Sequence, residues 1–196
     1  CEKEEREPQA PQGTLHSMTP LYILLLAVLM DVAVGEPPEK FHPVVWIGKV
    51  ISLLSVPPKK HQRIYGLFIT LMCVVFFSLM SYVVILSLFR LHYIAGIMVS
   101  AFFLKSTLSI RCLLGTAREI YLHLERNDLT AAKDKLRWLV GRETEKLTRA
   151  EISSATIESV AENFVDTILS PLFFFIIFSP LGAGVPASVG YKVINT

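Results

Sequence analysis

Hydrophobic positions along the chain fall into four runs separated by polar stretches. The first, "LYILLLAVLMDVAVG" at residues 21–35, is interrupted by Asp31. Residues 64–88 form 25 positions without a charge, ample to cross a bilayer at about 1.5 Å per residue. Residues 93–110 are apolar apart from Lys105, whose aliphatic stem can snorkel its ammonium to the interface. The last run covers residues 168–187 and enters a Gly/Pro-broken piece, "SPLGAGVPASVG". A cleaved signal peptide competes for the first run, but no strong basic flank precedes it. A retained membrane segment is the better reading.

The polar stretches predict helices too. Between residues 36 and 63, Pro37, Pro38, Pro57 and Pro58 bracket an amphipathic piece over 44–54, expected to lie at the membrane surface. In the stretch 111–167, "NDLTAAKDKLRWLVG" offers Asn127 or Asp128 as an N-cap and Gly141 just past the helix end. "TRAE", Thr148 to Glu151, has the pattern of a capping box. The predicted fold is all-α: a polytopic helical membrane protein with a large cytoplasmic helical loop. Residues 18–196 read as one integral-membrane domain. Residues 1–17, charged and rich in Pro and Gln, read as a disordered tail. Met18 is a plausible start, and the ending "GYKVINT" suits a fragment.

Composition agrees with this pattern. The chain is 52% hydrophobic and 18% charged, with a mean hydropathy of +0.50, where a soluble domain carries nearer a quarter charged residues. A net charge of +2 without a basic-aromatic patch argues against nucleic acid. Cys1, Cys73 and Cys112 lack C-x-x-C spacing, which argues against a disulfide framework or a zinc site. Residues 35–63 carry five Lys/Arg and residues 105–165 carry ten, against Arg90 alone in the connection between the second and third runs. The positive-inside rule puts both basic loops in the cytoplasm and the N-terminus outside, in a multi-pass protein of the cell membrane.

Glu151, Glu158, Glu162 and Asp166 lie within about a quarter of a helical wheel. A solvated face is the ordinary meaning of such a stripe. Two features argue for more. Residues 152–170 contain no basic residue, so no i,i+4 ion pairs relieve the repulsion. The stripe also runs to within a turn of the last apolar segment, where unpaired carboxylates are costly. Compensation by a divalent metal or by arginines from elsewhere is expected. Oxygen ligands without His or Cys favour Mg²⁺. Asp31 is either a membrane-edge residue or a functional carboxylate. His42 is a turn residue or a group on the same aqueous side as the stripe. "GRET", residues 141–144, is a phosphate-holding turn or only a helix cap. Arg111 and Arg118 read as snorkelling or interfacial. The common nucleotide, zinc and esterase signatures are absent.

Four blocks together, "DVAVGEPPEKFHPVVWIGKVI" (31–51), "NDLTAAKDKLRWLVGRET" (127–144), "ESVAENFVDTILSPLFF" (158–174) and "GYKVINT" (190–196), resemble the signature blocks of adenosylcobinamide-phosphate synthase. That family is an integral-membrane enzyme of cobalamin biosynthesis. Departures are Glu36 and Glu143 where the family usually has Asp, Thr167 in place of Gly, and a link, "FSPLGAGVPAS", that is not Gly-Gly-rich. The family pattern continues beyond Thr196 with further motifs and another membrane segment.

The resemblance implies an ATP-dependent amide-bond synthesis. A carboxylate of adenosylcobyric acid, a corrinoid, is joined to aminopropanol or its O-phosphate, with Mg²⁺ and ATP required. On this reading Glu158, Glu162 and Asp166 hold the metal, and Arg142 binds a phosphate. His42 or Asp31 deprotonates the amine. Gly35, Glu36, Thr144, Asn163, Tyr191 and Asn195 line the substrate and ATP sites. Partners expected are the lipid bilayer and other membrane enzymes of late cobalamin assembly, with no nucleic acid. Two other readings remain: a small transporter with Asp31 and the stripe as coupling carboxylates, and an inactive fragment of the synthase that serves only as a partner in an enzyme complex.

Overall fold

A computed structural model describes residues 12–36, 38, 40, 42–54, 62–141 and 143–196. Nine α-helices occur among the described residues: α1 (Gln12–Val34), α2 (Pro43–Leu54), α3 (Gln62–Leu91), α4 (Tyr93–Thr107), α5 (Ile110–Glu125), α6 (Leu129–Val140), α7 (Arg149–Phe164), α8 (Ser170–Phe178) and α9 (Gly184–Asn195). A π turn, Val165–Leu169, joins α7 to α8, and a 3-10 turn, Ser179–Leu181, follows α8. No strand is found among the described residues.

Three stretches are long and apolar enough to cross a membrane: Gln62–Leu91, Tyr93–Glu125 and Arg149–Leu181. The pattern on α3 shows why. Leu67, Leu71, Val75, Phe76 and Val83 are exposed along one side, while Ile69, Cys73, Phe77 and Ser81 are buried along the other. A helix apolar all round has no face for water, and its backbone bonds are closed internally, so it suits lipid. The protein is an all-helical membrane protein.

The bundle is built by α1 on α4, α4 on α3, and α9 wedged among α3, α4 and α8. Its core contains Ile23 and Ala27 of α1, Cys73 and Phe77 of α3, Leu104 of α4, and Val185 and Val189 of α9. Close approach of α9 to α3 requires Gly190, where a Cβ would stand 2.6 Å from the Ser78 hydroxyl. Small residues at such crossings let backbones meet in lipid, where apolar side chains gain little from leaving it. The expected surface helix 44–54 is α2, but it buries Ile47 in the bundle core and packs on α3, α4 and α9.

A second layer is made by α5, α6 and α7 around Ile120, Leu124, Ala132, Leu136, Ile152 and Ala155. Its helices start and stop where the local chemistry directs. The Asp128 side chain accepts from the Ala131 amide at 3.1 Å, and Gly141 closes α6 at φ +60°. Thr148 and Glu151 form the capping box of α7, with the Glu151 carboxylate accepting from the Thr148 amide at 2.7 Å.

Three expectations are corrected. Residues 168–187 do not form one span. α8 ends at Phe178, Gly182 turns the chain at φ +68°, and α9 folds back against α8. Residues 12–17 are helical rather than part of a disordered tail, because each residue added to an existing helix gains a backbone bond. Residues 1–11 lie outside the described residues. The apolar run 93–110 is broken at Leu108, whose ψ of 150° separates α4 from α5.

Candidate functional site

Asp31 lies in the last turn of α1 and is fully buried. Its Oδ2 accepts from the backbone amide of Arg111, at the head of α5, at 3.1 Å. The N-cap residue of α5, Ser109, makes no capping bond with its own side chain. Asp31 therefore does from another helix what an N-cap does locally, placing a carboxylate on unpaired amides at the positive end of the dipole. Arg111 returns the interaction. Its guanidinium donates to the carbonyls of Ala33 at 2.8 Å and Val32 at 3.4 Å, closing the C-terminus of α1. Gly35 makes the exchange possible. It turns at φ +76°, and the space its missing Cβ would fill lies 3.2 Å from the Arg111 Cδ.

The turn after Gly35 delivers Glu36 to the same place. Its Oε2 accepts from His42 Nε2 at 2.8 Å and from Lys105 Nζ at 3.3 Å. Lys105 also faces Asp31 Oδ1 at 3.6 Å, and that oxygen has no hydrogen bond of its own. Burial raises the Glu36 carboxyl, but the His42 hydrogen bond and the Lys105 ammonium outweigh it and hold it below the usual glutamate range. His42 Nδ1 accepts from the Val44 amide at 3.2 Å, so the geometry assigns a neutral imidazole with its proton on Nε2. One buried lysine, two carboxylates and a histidine thus form a connected network at the α1–α4–α5 junction.

A second group of polar residues reaches this junction on α9. Tyr191 stacks on Phe174 at 5.2 Å and its hydroxyl approaches Asp166 Oδ1 at 3.5 Å. Asp166 owes its position to the π turn. Pro171 has no N–H to continue an α ladder, and the Ser170 amide bonds the Val165 carbonyl, five residues back. Lys192 is 9% exposed and lies in the field of both Glu36 and Asp166. The end of α9 meets α2, with Thr196 Cγ2 3.7 Å from where a Cβ on Gly48 would stand.

Beside the junction, a 470 Å³ groove between α5, α6 and α7 is lined by Ser109, Cys112, Thr116, Lys135, Trp138, Asn163 and Thr167. The Asn163 side-chain amide donates to the Ser159 carbonyl at 2.8 Å.

The structure therefore brings Asp31, Gly35, Glu36 and His42 together, and sets Asp166 against Tyr191. Asn163 lies in the adjacent groove. Asn195 is exposed at the end of α9, and Glu158 and Glu162 are exposed on α7. Glu151, the first member of the stripe, is a helix-capping residue. Thr144 is fully buried beside the second core and donates its hydroxyl to the Lys133 carbonyl at 2.9 Å. Arg142 lies outside the described residues. Among the described residues no three His, Cys, Asp or Glu side chains are grouped so as to hold a metal ion.

Three cations were not picked out by sequence reasoning. Lys105 was expected to snorkel, yet its side chain is 3% exposed and paired with acids on α1 and the following turn. Arg111 was expected at an interface, and it caps α1 instead. Lys192 sat unremarked inside "GYKVINT". A lone cation in an apolar run was the available signal, but only the positions of Asp31 and Glu36 show what answers it.

No solved structure matches the chain. Among curated proteins, "Probable cobalamin biosynthesis protein CobD" of Methanothrix thermoacetophila is 38% identical over 187 residues, covering 90% of this chain and 58% of the relative. "Cobalamin biosynthesis protein CobD" of Dehalococcoides mccartyi is 37% identical over 180 residues, covering 90% and 57%. The protein of the same name from Photorhabdus laumondii is 35% identical over 176 residues, covering 87% and 54%. The chain thus spans a little over half the length of these relatives. The CobD/Cbib protein family matches residues 24–196. With that match across most of its length, the chain belongs to the CobD/Cbib protein family of cobalamin biosynthesis.

Proposed function

We propose that this chain carries the site of an ATP-dependent amide-bond synthesis, joining a carboxylate of adenosylcobyric acid to aminopropanol or its O-phosphate. The observation that carries the reading is convergence. The stretch that carries Glu36, His42 and Gly48 and the stretch 190–196, far apart in sequence, are neighbours in the fold: Thr196 lies against Gly48, and Lys192 lies in the field of Glu36, which holds His42. Membership of a cobalamin-biosynthesis family supplies the substrate class.

The chemistry has two stages. The corrinoid carboxylate attacks the γ-phosphorus of ATP, ADP leaves, and an acyl phosphate forms. The amine nitrogen then attacks the acyl carbon, phosphate leaves, and the nitrogen gives up a proton. A base is needed for that proton. His42 suits the task better than Asp31. Asp31 is fully buried, with Oδ2 held by the Arg111 amide and Oδ1 facing Lys105. His42 takes the proton at Nδ1 as the Val44 amide lets go, and Glu36 on Nε2 stabilises the resulting imidazolium.

Mg²⁺ is bound in many phosphoryl-transfer sites by one or two carboxylates plus substrate phosphates and water. Glu162 and Asp166, reachable all-oxygen donors on α7 and its π turn, fit that mode rather than a cage made of protein alone. When bound, the ion neutralises charge on the transferring phosphoryl group. On this reading the end of the bundle that carries the basic loops faces the cytoplasm, where ATP is found, as the positive-inside rule predicts.

The test is ADP release from membranes given adenosylcobyric acid, aminopropanol phosphate and Mg²⁺–ATP. Release requiring both co-substrates, lost with a chelator and restored by Mg²⁺, is expected. If neither this chain nor a version extended to the length of its relatives releases ADP, the reading fails. Release only from the extended version means that residues 1–196 hold an incomplete site.

A further inference from the structure

Among the described residues, Lys105, Arg111 and Lys135 each have a partner. Lys105 sits between Asp31 and Glu36, Arg111 donates to the carbonyls of α1, and Lys135 pairs with Glu119. Lys192 differs. Its residue is nine-tenths buried, yet no described carboxylate stands within 4 Å of its ammonium, and no described acceptor hydrogen-bonds it. The two acids that influence it are otherwise engaged: Glu36 with His42 and Lys105, Asp166 with the Tyr191 hydroxyl. The C-terminal end of α9 favours a cation by its dipole. That field supplies no acceptor for the ammonium's three donors. The stem of Lys192 is buried while its ammonium still reaches solvent, so an anion arriving at the site would meet a partly desolvated cation with unpaired donors.

We propose that Lys192 is the anion receptor of this site, binding the oxygens of a phosphate or phosphate ester. The reading of the site as an amide synthase supplies two sources of that chemistry: the terminal phosphate of the nucleotide and the phosphate ester of the amino alcohol. Lys105 cannot serve instead, because two carboxylates already neutralise it.

The experiment uses the protein at the full length of its relatives, in nanodiscs, and reads binding by calorimetry without turnover. The probes are a non-hydrolysable ATP analogue with Mg²⁺, O-phosphoethanolamine, and ethanolamine as the phosphate-free control. Lys192→Met is expected to weaken at least one phosphorylated probe by about 10- to 100-fold, with the control unmoved. Lys192→Arg is expected to stay within a few-fold of wild type. Loss confined to the nucleotide names ATP as the source, and loss confined to O-phosphoethanolamine names the amine substrate. A structural role would instead lower the melting temperature of Lys192→Met without ligand, whereas a receptor waiting for its anion leaves it unchanged or raised.

Unchanged binding of both probes by Lys192→Met overturns the proposal, as does wild-type protein that binds neither. The two readings fail separately. Normal ADP release with an unaltered KM in Lys192→Met removes the receptor and leaves the synthase. Phosphate binding that needs Lys192, in a protein that never releases ADP, removes the synthase and leaves the receptor.

Discussion

Asp31 and Lys105 carry the clearest residue-scale consequence. Both side chains are essentially dry, at 1% and 3% exposure. Removing one member of a buried ion pair strands the other, which typically costs about 3–5 kcal/mol. Lys105→Met is therefore expected to destabilise the protein by about that much, through the uncompensated charge on Asp31. The double variant Asp31→Asn, Lys105→Met is expected to recover a good part of it. Chemical unfolding of both variants in detergent checks the claim. A single variant as stable as wild type would mean that the pair carries no such burden. Arg111 adds a second coupling, because the Asp31 carboxylate also holds the first turn of α5. Replacing Asp31 thus loosens two helices, and a lost activity in such a variant is not evidence of a base.

At the scale of elements, the turn after α1 is fastened to α4 by Glu36. The folded state holds the Glu36 carboxyl below its ordinary range through His42 and Lys105. A proton is therefore bound more weakly in the folded state than in the unfolded chain. Stability from this group is fully present above about pH 4.3, the ordinary glutamate value, and is lost as pH falls through the lower folded value. The melting temperature of wild type should exceed that of Glu36→Gln near neutrality, and the gap should close as the medium is acidified. A gap that persists unchanged to the lowest pH the protein tolerates would remove Glu36 from the fastening. The π turn is the other element-scale device. Without it, α7 and α8 would run on as one α-helix, and Asp166 would take a different angle relative to Tyr191.

For the whole molecule, a lipid-facing bundle carries a polar layer of α5, α6 and α7 at one end, and the junction lies between the two. A cytoplasmic location for that layer is the orientation that the loop charges predict. Cys112 is exposed on the groove beside the junction, whereas Cys73 is buried in the bundle core. In a chain with Cys1 replaced by Ser, a membrane-impermeant maleimide should label Cys112 in inside-out vesicles and not in intact cells. Labelling of intact cells would invert the orientation. Cys73 should react only after unfolding, which gives an internal control.

Much of this architecture is written locally. The long charge-free run of α3 can only be a helix in lipid, because nothing else satisfies its backbone there. Asp128, Gly141 and the Thr148–Glu151 box act within a few residues of themselves, so the ends of α6 and the start of α7 are legible without a fold. Asp31, Glu36 and His42 stand out by their chemistry and spacing within one stretch. What pairs with them is not local. Lys105 looks like an interfacial lysine until α1 packs beside α4, and Arg111 looks the same until its amide and guanidinium meet the end of α1. The return of α9 depends on a turn at Gly182 inside a run whose hydropathy alone reads as one span. Lys192 gains its meaning only there, since burial and the distance to the nearest carboxylate are properties of helices packed together and not of residues in sequence.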